Sequence, residues 1–263
     1  MANCWQLPLL YAVDAQLQLL IAQLEADCAG AGGLFDPTSS IIPWRAGFWA
    51  NDAVDGNATG DRIASIANFG ADQTDPTFHS AGAANAPVLK VATPEFNGRS
   101  TLEWDGADVW LENGCPGLTQ PYYVMTVHRP AVDLPYNARL WSSRHTLSAG
   151  RTEYKYNGTQ WDLHAGKDFL GPDGGQEELR VEVQYVDGTQ SKTWINNPTT
   201  VPDFTGNPDT KPIGSGPVVG NDWNKGNAYR GSIAAWMVVN AADADEEDVL
   251  EEAAKAMTYY GVV

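Results

Sequence analysis

The segment 178–184 is the first place where residue types and spacing could break a bond. In Glu178-Leu179-Arg180-Val181-Glu182-Val183-Gln184, strand alternation puts Arg180, Glu182 and Gln184 on one face and Val181, Val183 and Tyr185 on the other. A retaining glycosidase needs a second carboxyl about 5 Å from the first, and this spacing supplies none. Glu182 therefore reads as a solvated or salt-bridged face residue. No G-x-S-x-G elbow offers a serine nucleophile. His79, His128, His145 and His164 have no H-x-H or H-E-x-x-H partner, so zinc chemistry is unsupported. The Gly-rich stretches 171–175 and 214–221 lack the following helix that phosphate binding needs. No catalytic residue is assigned, and the chain is expected not to be an enzyme.

Binding chemistry has more to work with. Asp52, Asp55, Asn57 and Asp61 offer oxygen ligands in one Gly-containing loop, which suits calcium, although the EF-hand spacing fails. A solvated acidic loop is the plainer reading. Trp104, Trp110, Trp194 and Trp236 lie on alternating runs and are expected in the core. Trp141, Trp161 and Trp223 lie near loops rich in Asn, Arg and Asp. A rim Trp beside polar side chains stacks on a sugar face while its neighbours bond the hydroxyls. The carbohydrate-binding expectation falls on Trp223 with Asn221, Asp222 and Asn224, and on Trp141, with Arg144 and His145 beside it.

The elements that must position these residues follow from composition and pattern. The 263 residues carry 16 Lys+Arg against 33 Asp+Glu, a net charge of -17. Such a chain repels phosphate backbones and anionic membrane surfaces. It is long enough to bury roughly three quarters of its surface without metal or disulfide staples. No run reaches the roughly 18 apolar residues of a membrane span. No Lys or Arg precedes Arg45, which makes a poor secretion signal. Cys4, Cys28 and Cys115 lack metal or disulfide spacing and are expected to be reduced.

Residues 10–27 predict a helix. Leu10, Val13, Leu17, Leu20 and Leu24 form one apolar seam at alternating spacings of three and four. Spanning only about two and a half heptads, it needs a partner. That partner is its own globule, a copy of itself, with a trimer favoured, or another protein. The AGAGG run at 29–33 makes a flexible joint. Segment 1–33 is thus read as an anchor or oligomerisation element, and 34–263 as the globular domain. From Phe35 to Asn240 short alternating runs are punctuated by turns, with Asp105-Gly106, Asn157-Gly158 and Asp187-Gly188 as the clearest. This is an all-β sandwich or barrel pattern without βαβ alternation. Asp243 and Asp245 then cap an acidic C-terminal helix with Val249, Leu250, Ala253, Met257 and Tyr260 inward and Gly261 ending it.

Taken in order, these segments resemble the concanavalin A-like lectin/glucanase superfamily in its laminin-G-like branch. Trp104-Asp105-Gly106-Ala107-Asp108-Val109-Trp110-Leu111 is similar to that branch's FDG-x-D-D-x-L strand. Tyr185-Val186-Asp187-Gly188-Thr189 matches its V-x-V-D-G-T. Gly220 through Tyr229-Arg230-Gly231-Ser232-Ile233-Ala234-Ala235-Trp236 matches its closing strand, followed by the acidic helix and Tyr260-Gly261-Val262. Phe48-Trp49-Ala50-Asn51-Asp52 fits its opening. The likeness covers about 40–263 and is more specific for fold than for function. It implies a jelly-roll sandwich of two antiparallel sheets flanked by an N-terminal helix and a short C-terminal helix. The glucanase E-x-D-x-E strand is not matched at 178–182. The resemblance extends to tailed-phage virion proteins. It implies a non-enzymatic virion surface protein, either a head decoration or a receptor-binding fibre. Such a protein would dock on capsid or tail through its N-terminal helix and touch host-surface glycans. A bacterial surface adhesin and a glycoside hydrolase are the alternatives.

Overall fold

The computed structural model describes residues 35–143, 152–173, 177–214, 216–222 and 226–262. The seam of Leu10, Val13, Leu17, Leu20 and Leu24 lies outside the described residues. In chain order the strands are β1 (Ala46–Trp49), β2 (Ser65–Ala67), β3 (Thr77–His79), β4 (Val88–Thr93), β5 (Arg99–Asp105), β6 (Leu111–Glu112), β7 (Tyr122–Pro130) and β8 (Arg139–Ser143). They continue as β9 (Glu153–Tyr156), β10 (Gln160–His164), β11 (Asp168–Asp173), β12 (Arg180–Val186), β13 (Ser191–Ile195), β14 (Phe204–Gly206), β15 (Pro217–Val219) and β16 (Arg230–Asn240). One helix, α1 (Glu246–Tyr260), follows.

The strands form two antiparallel sheets of eight. Sheet A runs β14-β13-β12-β7-β16-β5-β4, with β1 also on β16, and sheet B runs β11-β10-β9-β8-β15-β6-β3-β2. The inner faces meet in one apolar core. Phe48 of sheet A lies 5.3 Å from Phe78 of sheet B, which lies 5.8 Å from Trp236 of sheet A.

The outer face of sheet A is covered in part by α1, which packs on β12 and β7. That second cover explains β7, which is buried on both faces and reads as a continuous apolar run. Asp245 takes the N-cap position of α1 without a side-chain hydrogen bond, and Gly261 ends the helix at φ 73°. Trp49 Nε1 donates to Tyr260 Oη at 2.9 Å, tying the end of α1 to β1. Val249, Leu250, Ala253 and Tyr260 are buried as expected, Met257 is half-buried, and Ala256 and Tyr259 are buried beside them.

Three expectations change here. The Asp105-Gly106 turn does not close a hairpin: β5 belongs to sheet A and β6 to sheet B, so the turn starts a crossover. Trp141 and Trp161 are fully buried, in the core. Glu182 is fully buried as well, so it is salt-bridged but not solvated. Trp104, Trp110, Trp194 and Trp236 are buried as expected, and Cys115 is a buried free thiol whose pKa burial pushes up to about 12.

Candidate functional site

The hairpin β9–β10 divides its residues cleanly. Tyr154, Tyr156, Trp161 and Leu163 point into the core. Glu153, Lys155, Asp162 and His164 therefore share the outer face of sheet B. Cross-strand pairing extends that face into one row across all eight strands: Asp168, His164, Glu153, Ser142, Val218, Glu112, His79 and Ser65. Seven of these eight are polar.

At the β9–β11 end the polar groups are held by one another. Lys155 Nζ lies 2.7 Å from Asp168 Oδ1 and 3.9 Å from Glu153 Oε1. His164 Nδ1 reaches the same Asp168 oxygen at 2.7 Å. Arg139 Nε lies 3.0 Å from Glu153 Oε2. Asn157 Nδ2 donates to both oxygens of Asp162, at 3.2 and 3.0 Å. Asn157 also shapes the turn, since its Oδ1 accepts from the backbone N–H of Thr159 and Gln160. Arg139, Glu153 and Asp162 are buried, whereas the Asp168 side chain is 49% exposed. At the turn end of the hairpin, Tyr136 is 69% exposed and lies against Gly158.

The two nearby aspartates are pushed apart electrostatically. Burial raises the Asp162 carboxyl above the usual range, with the neighbouring Asp168 charge adding to it and the Asn157 amide opposing it. Burial also works to raise Asp168, but the hydrogen bonds from Lys155 and His164 outweigh it and hold that carboxyl low. Glu153 and Glu112 stand three strands apart, about 14 Å, too far for either glycosidase geometry. What the face offers chemically is fixed donors and acceptors, with an exposed ring at the turn end of the hairpin.

A second polar cluster lies between the sheets. Glu182 Oε1 meets Arg180 NH1 at 3.3 Å and His128 Nε2 at 3.5 Å, and His128 Nδ1 lies 3.2 Å from Tyr229 Oη. Tyr154 stacks on Trp161 at 5.0 Å above it. Every one of these side chains is buried, which suits positioning the sheets and not meeting a ligand.

The expected sugar-binding residues are scattered in role. Trp223, Asn224, Arg144 and His145 lie outside the described residues. Asn221 and Asp222 are buried. Asn221 Oδ1 accepts from the backbone N–H of Asp222 and Asn227, and Asp222 Oδ1 accepts from that of Gly226. Their acceptors are thus engaged within their own loop, which runs along β8 through Ser142 Oγ donating to Asn221 O. Trp141 donates Nε1 to Gln184 Oε1 at 3.1 Å inside the core. Among the described residues no three His, Cys, Asp or Glu side chains, those of the expected calcium loop included, stand together as a metal-binding group. Asp61 instead accepts from Ala58 N–H, and the Asn57 amide donates to Ala53 O. Sequence reasoning passed over Lys155, Asp162, Asp168 and Tyr136. The alternation of Glu-Tyr-Lys-Tyr and Trp-Asp-Leu-His would have found the first two, and nothing local marks Tyr136 as exposed.

Comparison with known proteins begins only at the level of fold. No protein-family profile matches the sequence, and no curated protein matches it. Among solved structures, the chain is similar to Trypanosoma rangeli sialidase in complex with 2,3-difluoro-KDN, with a TM-score of 0.50 and 11% identity over 82% of this chain. It is equally similar, at TM-score 0.50 and 11% identity over 88% of the chain, to the same sialidase as a covalent intermediate with 2,3-difluorosialic acid. Domain 4 of a GH43 extracellular arabinanase from Geobacillus stearothermophilus, in complex with arabinotriose, aligns at TM-score 0.45 and 13% identity, covering 81% of this chain and 98% of that domain. The chain spans about a third of the length of the sialidases, 33% and 35%. The fold is thus that of an antiparallel sandwich that forms part of these sialidase chains. The expectation of a non-enzymatic virion surface protein is corrected here: the solved structures that share the fold at TM-score 0.50 are of a sialidase, an enzyme.

Proposed function

We propose that this sandwich, of concanavalin A-like type, is a carbohydrate-binding domain of the kind that forms one part of a larger glycan-processing protein. The carrying observation is the outer face of β9–β11. There the side chains that reach solvent, Asp168, His164 and Lys155, are fixed by mutual contacts above the buried Glu153 and Asp162, and the exposed Tyr136 ring stands at the turn end of the hairpin. Held polar groups beside an apolar ring are what a sugar needs, because each ring presents hydroxyls at its rim and C–H groups on its face. The sialidases that share the fold support the same substrate class. Their shared third, and not the whole enzyme, corresponds to this chain. The segment 1–33 would supply self-association, which turns weak single sites into avidity.

The test is calorimetric titration of the whole chain with sialyllactose, arabinotriose and neutral oligosaccharides. Binding that Tyr136→Ala weakens supports the reading. Absence of binding to every glycan, or affinity unchanged in both Tyr136→Ala and Lys155→Met, overturns it.

A hydrolytic reading is favoured by the placement of Asp162 and Asp168 on the paired strands β10 and β11, where their carboxyls shift in opposite directions as those of an acid and a base must. Reducing-sugar release that Asp162→Asn abolishes would establish it in place of binding alone.

A further inference from the structure

We infer that a second ligand pocket, for a neutral polyhydroxylated ligand of one or two sugar rings, lies on the outer face of sheet A at Lys90, Glu103, Arg129 and Ser232. It is independent of the reading of sheet B, because the two faces are on opposite outsides of the sandwich. Either site can fail alone.

The cavity measures 290 Å³, at the lower bound of ligand pockets, which is about 300 Å³. Its floor is a row of register neighbours on three adjacent strands: Glu103 of β5, Ser232 of β16 and Arg129 of β7. At about 4.8 Å per strand, the row spans about 10 Å. Lys90 of β4 holds Glu103 Oε2 through its Nζ at 2.9 Å. Arg129 is held too: its Nε donates to Glu177 O at 2.9 Å. Among the described residues its two terminal amino groups have no protein partner, and neither does the Ser232 hydroxyl. A row of acceptor, hydroxyl and fixed donor thus faces an open cavity.

The rim is built by a break in β4. Pairing with β5 shifts between Lys90 and Thr93, and Ala92 sits at φ 54°, a conformation few alanines adopt. The bulge turns Val91 and Pro94 into an exposed apolar wall beside the polar floor.

Charge selects the ligand class. The lining balances Lys90 and Arg129 against Glu95 and Glu103, in a chain of net charge -17. An anion bound at Arg129 would face two carboxylates, and a cation would face the guanidinium. A vicinal diol suits both ends of the row, because its oxygens accept from Arg129 and its hydroxyls donate to Glu103.

The experiment is backbone-amide NMR of the whole chain titrated with maltose, cellobiose and lactose, and separately with inorganic phosphate as the anionic probe. Shifts gathering at Ala92, Thr93, Glu103 and Ser232 with a disaccharide, and persisting in Tyr136→Ala, are the expected result. Arg129→Met should weaken that binding about tenfold, equivalent to about 1.4 kcal/mol. Ser232→Val serves as a second variant should Arg129→Met not fold. No shift at this pocket with any disaccharide, a response to phosphate alone, or affinity unchanged in the folded variants would overturn the proposal.

Discussion

His128 Nε2 lies 3.5 Å from Glu182 Oε1 at the centre of the sandwich, and neither side chain reaches solvent. At that length the contact is longer than a good hydrogen bond. Burial works to raise the Glu182 carboxyl, but the His128 ring and the Arg180 guanidinium outweigh it and hold it below its usual range. A carboxyl depressed in the folded state stabilises the fold above its unfolded pKa of about 4.3. That contribution is lost as pH falls through the lower, folded value. Stability should therefore hold above about pH 5 and decline below about pH 4. Glu182→Ala leaves the buried Arg180 guanidinium without the Glu182 carboxylate, and should cost about 3–5 kcal/mol while flattening the acid limb. Urea denaturation at a series of pH values measures both, and a variant with the acid limb of the parent would assign that limb to another carboxyl.

Asp162 carries the opposite sign. Burial raises its carboxyl, so the folded state binds its proton more tightly than the unfolded chain does. Stability is then lost as pH rises from the unfolded value of about 3.9 through the folded one, and the cost persists at neutral pH. Asp162→Asn removes the charge and keeps the shape, and the new amide oxygen can still accept from the Asn157 amide. The variant should melt higher than the parent at pH 7, with the difference vanishing near pH 3. A variant melting lower at pH 7 would show that Asp162 is stabilised by charges acting on it more strongly than burial opposes them.

Strand alternation in the sequence told which residues share a face of β12, and the structure agrees. It did not tell which face is covered. In β12 the Arg180, Glu182 and Gln184 face looked solvated, yet it lies inside. The Val181 and Val183 face is outward and covered by α1. The same inversion put Trp161 at the rim and left Lys155 and Asp162 unread, because a face is buried by whatever packs on it and that partner is remote in sequence. The C-terminal helix and the turns at Asn157-Gly158 and Asp187-Gly188 were legible since caps and positive φ are local requirements. The destination of the chain after Asp105-Gly106 was not, since a tight turn and a crossover begin with the same residues.

Gly220 joins β15 to the loop along β8 at φ 82°, and a Cβ there would overlap the Trp104 indole. Gly56 has a nearly equal φ of 77° but open space where its Cβ would stand. The pair separates backbone strain from collision. Gly56→Ala should cost only the left-handed penalty, about 1–2 kcal/mol. Gly220→Ala adds overpacking of about 1–3 kcal/mol. Thermal melts of both variants give the two costs, and equal losses would mean that Trp104 moves aside freely.

Tyr136 and Trp161 flank the same hairpin, one exposed and one buried, and they should respond oppositely to truncation. Tyr136 is 69% exposed, so Tyr136→Ala should change stability by no more than about 0.5 kcal/mol. If its ring stacks on a sugar, binding should drop by about 1 kcal/mol, roughly fivefold. Trp161 packs against Tyr154 at 5.0 Å and against His128 at 5.6 Å, with no exposed surface. Trp161→Ala should cost about 3–5 kcal/mol and change affinity only as far as the fold loosens. Melting curves and glycan titrations on the same two proteins decide the matter. A Tyr136→Ala protein that melts and binds like the parent would remove the aromatic half of the sheet B site, while leaving the Trp161 prediction standing on packing alone.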